Sequence, residues 1–169
     1  LGGSPADPHR FVDLPSGSNF TSVFVGLTFR NGYADQGGVC RVAAASVQFM
    51  SCRFQNSSAQ MGGALWLTGA EAMFSDCAFY DNSATTAGAI YVASGTPLFF
   101  RCVFDGNHAS DAGGGIVTTG GNAGLYNCIL TSNTATSVGG AINCAGGDVT
   151  VVNATICANM AMLGGGLSY

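Results

Sequence analysis

Apolar side chains recur along this chain in columns spaced by a fixed step. Phe29, Phe54, Phe79, Phe104, Leu130 and Ile156 form one series at intervals of 25 or 26 residues, and Phe24, Phe49, Phe74, Phe99, Leu125 and Val151 form another five residues earlier. Between them runs Leu27, Cys52, Cys77, Cys102, Cys128 and Ala154. A fixed period of roughly 20 to 50 residues marks a solenoid, in which each repeat buries its apolar face against the next. The two-residue step from the Cys column to the later Phe column predicts a strand with both side chains inward. The odd offset to the earlier Phe column predicts a bend between two strands. Gly26, Ser51, Asp76, Arg101, Asn127 and Asn153 occupy that bend, polar or Gly as an outward corner requires.

A further strand follows each small-residue motif: Gly62-Gly63-Ala64-Leu65, Ala87-Gly88-Ala89-Ile90, Gly113-Gly114-Gly115-Ile116, Gly139-Gly140-Ala141-Ile142 and Gly164-Gly165-Gly166-Leu167. Its inward pairs are Leu65/Leu67, Ile90/Val92, Ile116/Thr118 and Ile142/Cys144. Gly belongs where the chain turns with positive φ or where backbones crowd. Asn31, Asn56, Asn82, Asn107, Asn133 and Asn159 close the preceding strand, and stacked amides at these positions are expected to form a ladder along the axis. Three short strands per repeat, each pairing with its copy in the next, predict an all-β parallel β-helix of about six coils, a rod about 25 to 30 Å long at ~4.8 Å per coil. A helical reading fails, because the apolar positions alternate by two and Gly pairs recur in every unit. Residues 1–19, with Pro5, Pro8 and Pro15, lack the repeat and read as an N-terminal loop or cap. Residues 20–169 are the coils, and the chain reads as an excerpt of a longer one.

Composition narrows the partners. Only 8% of residues are charged against 47% hydrophobic, which excludes an acidic disordered tail and a Lys/Glu-rich bundle. The five basic residues are scattered arginines in a chain of net charge -4, so no nucleic-acid surface is expected. Gly, Asn and Asp break every apolar stretch well short of the ~20 residues of a membrane helix, so no direct membrane span is expected.

The unit Cys-x-Phe-x-x-Asn followed by Gly-Gly-Ala-Ile resembles the repeat of the chlamydial polymorphic outer-membrane proteins and related microbial surface proteins. It is seen in Phe79-Tyr80-Asp81-Asn82 and Phe104-Asp105-Gly106-Asn107; Leu130 to Asn133 and Ile156 to Asn159 carry it with an aliphatic residue, and Phe29-Arg30-Asn31 and Phe54-Gln55-Asn56 are one residue short. The resemblance covers roughly residues 20–169. It implies a right-handed, pectin-lyase-like β-helix displayed outside the cell, used for adhesion or as a structural shaft, with protein or glycan partners at the surface or end-to-end self-association.

The chemistry-bearing residues fit that expectation. Six of the seven cysteines fall in core columns: Cys52, Cys77, Cys102 and Cys128 share one, Cys40 aligns with Leu65 and Cys144 with Val92. Inert stacked thiols and disulfides between adjacent coils both remain open. No Cys-x-x-Cys pair occurs and only His9 and His108 supply imidazole, so no metal and no cofactor is expected. A polysaccharide lyase or hydrolase, the enzymatic alternative, needs carboxylates converging on one face. Asp76 instead stacks on Arg101, and no catalytic residue is assigned. An ice-binding face is a further alternative, resting on Ser83-Ala84-Thr85, His108-Ala109-Ser110 and Thr134-Ala135-Thr136. Among three sequons, Asn19 and Asn153 are the candidate glycan acceptors, and Asn56 is assigned to the ladder.

Overall fold

The computed structural model describes residues 9–17 and 21–169, so the candidate acceptor Asn19 lies outside the described residues. The described chain consists of short strands joined by tight corners, arranged in three parallel sheets. A six-stranded sheet carries one Cys-x-Phe strand from each coil: Thr28–Arg30, Arg53–Gln55, Ala78–Tyr80, Val103–Asp105, Ile129–Thr131 and Thr155–Cys157. Its register puts Phe29 on Phe54, Phe79, Phe104, Leu130 and Ile156 in turn. An eleven-stranded sheet holds the strands after the glycine motifs, such as Leu65–Thr68, and those of the earlier Phe column, such as Glu71–Ser75. The two runs join because Ile116–Tyr126 and Ile142–Val152 pass through the corner as continuous strands.

The third sheet is five-stranded and was not foreseen as a strand run: Tyr33–Gln36, Ser58–Met61, Ser83–Thr86, His108–Ala112 and Thr134–Ala135. Its outward residues are polar, and its inward residues include Ala34, Ala84, Ala109 and Ala135, too small to announce a core strand by hydropathy. Each coil therefore makes four strand crossings over three sheets. The step from 25 to 26 residues has a visible cause here, since Ala84 pairs with Ala109 but Thr86 pairs with Ala112, so one extra residue bulges at Ser110-Asp111.

The corners are made by residues in the left-handed region. At the first corner φ is +66° at Gly26, +51° at Ser51, +55° at Asp76, +53° at Arg101, +56° at Asn127 and +51° at Asn153. For Ser, Asp and Arg this conformation costs about 1 to 2 kcal/mol, which the repeated cross-coil pairing must offset at each. A second such corner comprises Asn31, Asn56, Asp81, Gly106, Ser132 and Ala158. A third comprises Gly37, Gly62, Ala87, Gly113, Gly139 and Gly164, and there the next residue is also constrained: a Cβ on Gly88 would collide with the Gly114 carbonyl and the His108 backbone.

Two aromatic stacks fill the interior. Within the Phe54, Phe79 and Phe104 stack, ring centroids lie 4.8 and 4.6 Å apart and nearly parallel. Phe49, Phe74 and Phe99 make a second stack at 5.3 and 4.8 Å, and the two meet edge to face, as Phe99 and Phe104 do at 5.6 Å. Offset parallel contact along the axis and T-shaped contact across it suit the ring quadrupole. At the N-terminal end Val12–Leu14 pairs in parallel with Cys40–Val42, and Phe11 packs on Phe29 at 6.2 Å. Arg10 there donates to the carbonyls of Gln36 and Gly37 at 2.9 and 3.3 Å.

Candidate functional site

Inside the rod, the residue after each of the first two corners takes the inward place, and where it is Cys, Ser or Asn its side chain bonds to backbone. At the second corner the inward position is held by Gly32, Ser57, Asn82, Asn107, Asn133 and Asn159. The Nδ2 of Asn107 donates to the Phe79 carbonyl and to Asn133 Oδ1, both at 2.9 Å, while its Oδ1 accepts from the backbone N–H and side-chain amide of Asn82 at 3.1 and 3.0 Å. Asn82, Asn107 and Asn133 are fully buried. Asn31 and Asn56, expected in this ladder, are not in it. In these two coils the Asn comes one residue early, so it takes the exposed left-handed corner that Asn tolerates well, and Gly32 and Ser57 fill the inward place. Ser57 accepts the Gly32 N–H at 3.1 Å, donates to the Gln55 carbonyl at 3.1 Å, and gives its own N–H to Asn82 Oδ1.

At the first corner the inward residue is a thiol in the four middle coils, with Leu27 and Ala154 in the outer two. Cys52, Cys77, Cys102 and Cys128 lie in one buried column, each Sγ 3.4 to 3.5 Å from two carbonyls that compete for its single proton, for Cys102 those of Phe74 and Phe100. All seven cysteines are free. Burial pushes the thiols of Cys40 and Cys52 up. In the column, Cys102 holds its proton hardest, through its stacked neighbours Cys128 and Cys77 and then burial, and the same proximity pulls those two the other way. Thiols held protonated by burial, as at Cys40 and Cys52, are poor nucleophiles and poor metal ligands. Among the described residues no three His, Cys, Asp or Glu side chains gather where they would hold a metal ion.

On the outside, a groove of about 310 Å³ crosses the face of the bent sheet. Its apolar lining includes Met73 and Leu98, and its polar lining is Ser46, Gln48, Glu71 and Thr96. It lies beside the corner Ser94-Gly95-Thr96-Pro97, which stacks on the corner of the coil before, the two tied by a hydrogen bond from the Gly69 N–H to Ser94 Oγ at 2.7 Å. Sequence reasoning missed this groove because nothing in the repeat columns marks it. Glu71 is the one carboxylate in its lining. At the outward first corner, Arg101 grips Asp76 through Nε and Nη2 at 2.7 and 2.8 Å, and this pairing holds the Asp76 carboxyl below the usual carboxylate range. The hydroxyl array considered for ice binding is interrupted: His108 Nδ1 is bonded to Thr134 Oγ1 at 2.9 Å, and the bulge at Ser110-Asp111 breaks the even spacing of its outward rows. Asn153 and Asn56 are both exposed at left-handed corners. No helix among the described residues is long and apolar enough to cross a membrane.

Parallel in-register strands, corner residues repeating coil after coil and side-chain ladders along the axis define a β-helical solenoid. The family model described as the right-handed beta helix region matches residues 16–169, and the chain belongs to that family. The sequence matches no curated protein and no solved structure.

Proposed function

We propose that this chain is a non-catalytic β-helical module displayed outside the cell, serving as a structural shaft or adhesin of the polymorphic outer-membrane protein type. The observation that carries the reading is the continuity of its ladders: phenylalanine stacks, thiols and buried asparagines each run from coil to coil, so the interior is devoted to cohesion along the axis. An uninterrupted ladder makes a stiff element in which each coil supports the next. The partners of such a module are surface proteins or glycans, or a second copy meeting it end to end. Incubation with pectin, alginate and related polymers is expected to release no product, and clear turnover would overturn the non-catalytic reading. Sedimentation at rising protein concentration tests the end-to-end contact; a monomer at every concentration counts against it.

The groove supports a second reading, in which the module binds a polysaccharide without cleaving it. Gln48, Glu71 and Thr96 suit hydroxyl groups, and Met73 and Leu98 suit the apolar face of a sugar ring. Hydrolysis of a glycosidic bond ordinarily uses two carboxyl groups about 5 to 9.5 Å apart, and one carboxylate favours binding over chemistry. Glu71→Gln is expected to weaken retention on an immobilised glycan; unchanged retention by a glycan-binding parent would move the site elsewhere.

A further inference from the structure

We infer that Asn56 is an N-glycan acceptor, and that the outward corners of the coil, not its buried asparagine ladder, are where this rod takes glycans. The inference rests on the extracellular reading above. An acceptor Asn needs a hydroxyl residue two positions on, with both side chains reachable from outside. At a left-handed corner of this fold, residue i faces out, i+1 turns in and i+2 faces out again. Asn56 is exposed at φ +51°, Ser57 is buried in the ladder, and Ser58 opens the next strand on the outer side. The Ser57 hydroxyl is already committed to the Gly32 N–H and the Gln55 carbonyl, so Ser58 supplies the hydroxyl of the sequon.

The same alternation closes the ladder to modification. A ladder Asn faces in, and its i+2 residue faces in as well, which in this chain is alanine after Asn82 and Asn107, namely Ala84 and Ala109. Amides bonded on both sides to the coils above and below leave no nitrogen free for a sugar. In the transfer itself, Asn56 Nδ2 forms a bond to the anomeric carbon of a polyprenyl-diphosphate-linked oligosaccharide. The bond from that carbon to the diphosphate oxygen breaks, the lipid diphosphate leaves with the electron pair, and the amide gives up one proton to a base of the transferase.

The test is expression of this chain behind a secretory signal in eukaryotic cells, with glycopeptide occupancy read by mass spectrometry on secreted and retained pools. Occupancy is expected at Asn56; Ser58→Ala is expected to abolish it while leaving Asn153 as it was, and Ser57→Ala, which keeps the sequon, is expected to preserve it. Asn56→Gln alone is a weaker probe, because Gln is strained at positive φ. An unmodified Asn56 in either pool, or a glycan that survives Ser58→Ala, overturns the inference. Because the signal is supplied, a silent Asn56 counts against the acceptor site, whereas failure of the folded chain to leave the cell counts against the extracellular reading.

Discussion

Two corners of every coil share one backbone conformation and differ in the side chain that comes next. At each, a residue with φ near +50 to +66° makes the turn, and where its successor is Cys or Asn that side chain turns inward to donate to a carbonyl of the preceding coil. Cys102 reaches Phe74 O and Asn107 reaches Phe79 O, each 28 residues back. The thiol has one proton to offer, and its sulfur is only a weak acceptor toward the thiols stacked on either side. The amide also has an oxygen, and with it accepts from Asn82, so the Asn corner joins three coils through full hydrogen bonds where the Cys corner relies on one weak donor. Identical turn geometry thus leaves open whether a ladder is mostly filling or mostly linkage, and the functional groups of the inward side chain decide it.

Phe79 lies between the two corners, and removing its ring breaks both at once. Phe79→Ala is expected to destabilise by about 3 to 5 kcal/mol through lost transfer energy and a cavity flanked by Phe54 and Phe104, read from the shift in denaturation midpoint. An unchanged midpoint would mean that the stack does not hold the coils together.

Asn107→Ala isolates the linking corner. It leaves the Phe79 carbonyl and the Asn82 N–H buried without their partners, so a loss of about 2 to 4 kcal/mol is expected. Asn107→Ser should recover part of it, because Ser57 already serves as an acceptor in the same ladder. Equal losses for Ala and Ser would show that volume, not the acceptor, matters at this corner.

Cys102→Ala gives the contrast. The thiol contributes packing and one weak donor, so about 1 kcal/mol of destabilisation is expected, clearly less than for Asn107→Ala. If the two cost the same in one denaturation series, the distinction between filling and linkage fails.

The third corner sharpens the point from the backbone side. Ala87 sits at φ +61° where five other coils have Gly. Ala87→Gly relieves the left-handed strain but adds unfolded-state freedom, for a net stabilisation of about 0.5 to 1 kcal/mol. Destabilisation on thermal melting would show that the Ala87 methyl is needed for packing at this corner.

Much of this was legible in advance. The Phe and Cys columns could be read because large apolar residues recur in every coil, and a bend between them was forced by the odd spacing of Phe49, Cys52 and Phe54. The Ser83–Thr86 strand was not, because its inward residue is alanine and hydropathy cannot separate a small inward residue from a polar edge. Asn56 was misplaced for a related reason. Each Asn looked equivalent by residue type, and a local motif one residue short does not say which side of the corner loses it.

The sequence by itself determined the period, the parallel stacking and the two aromatic stacks, since a fixed repeat of large apolar side chains has one economical way to bury them: each over its own copy. Only the tertiary structure decided which residue enters the asparagine ladder, how the strands divide among three sheets, and where a groove opens. Those outcomes depend on cross-coil register. Phe54 on Phe79 and Ser58 on Ser83 leave one inward place between them in the second coil, and that place falls to Ser57, with Asn56 turned to solvent.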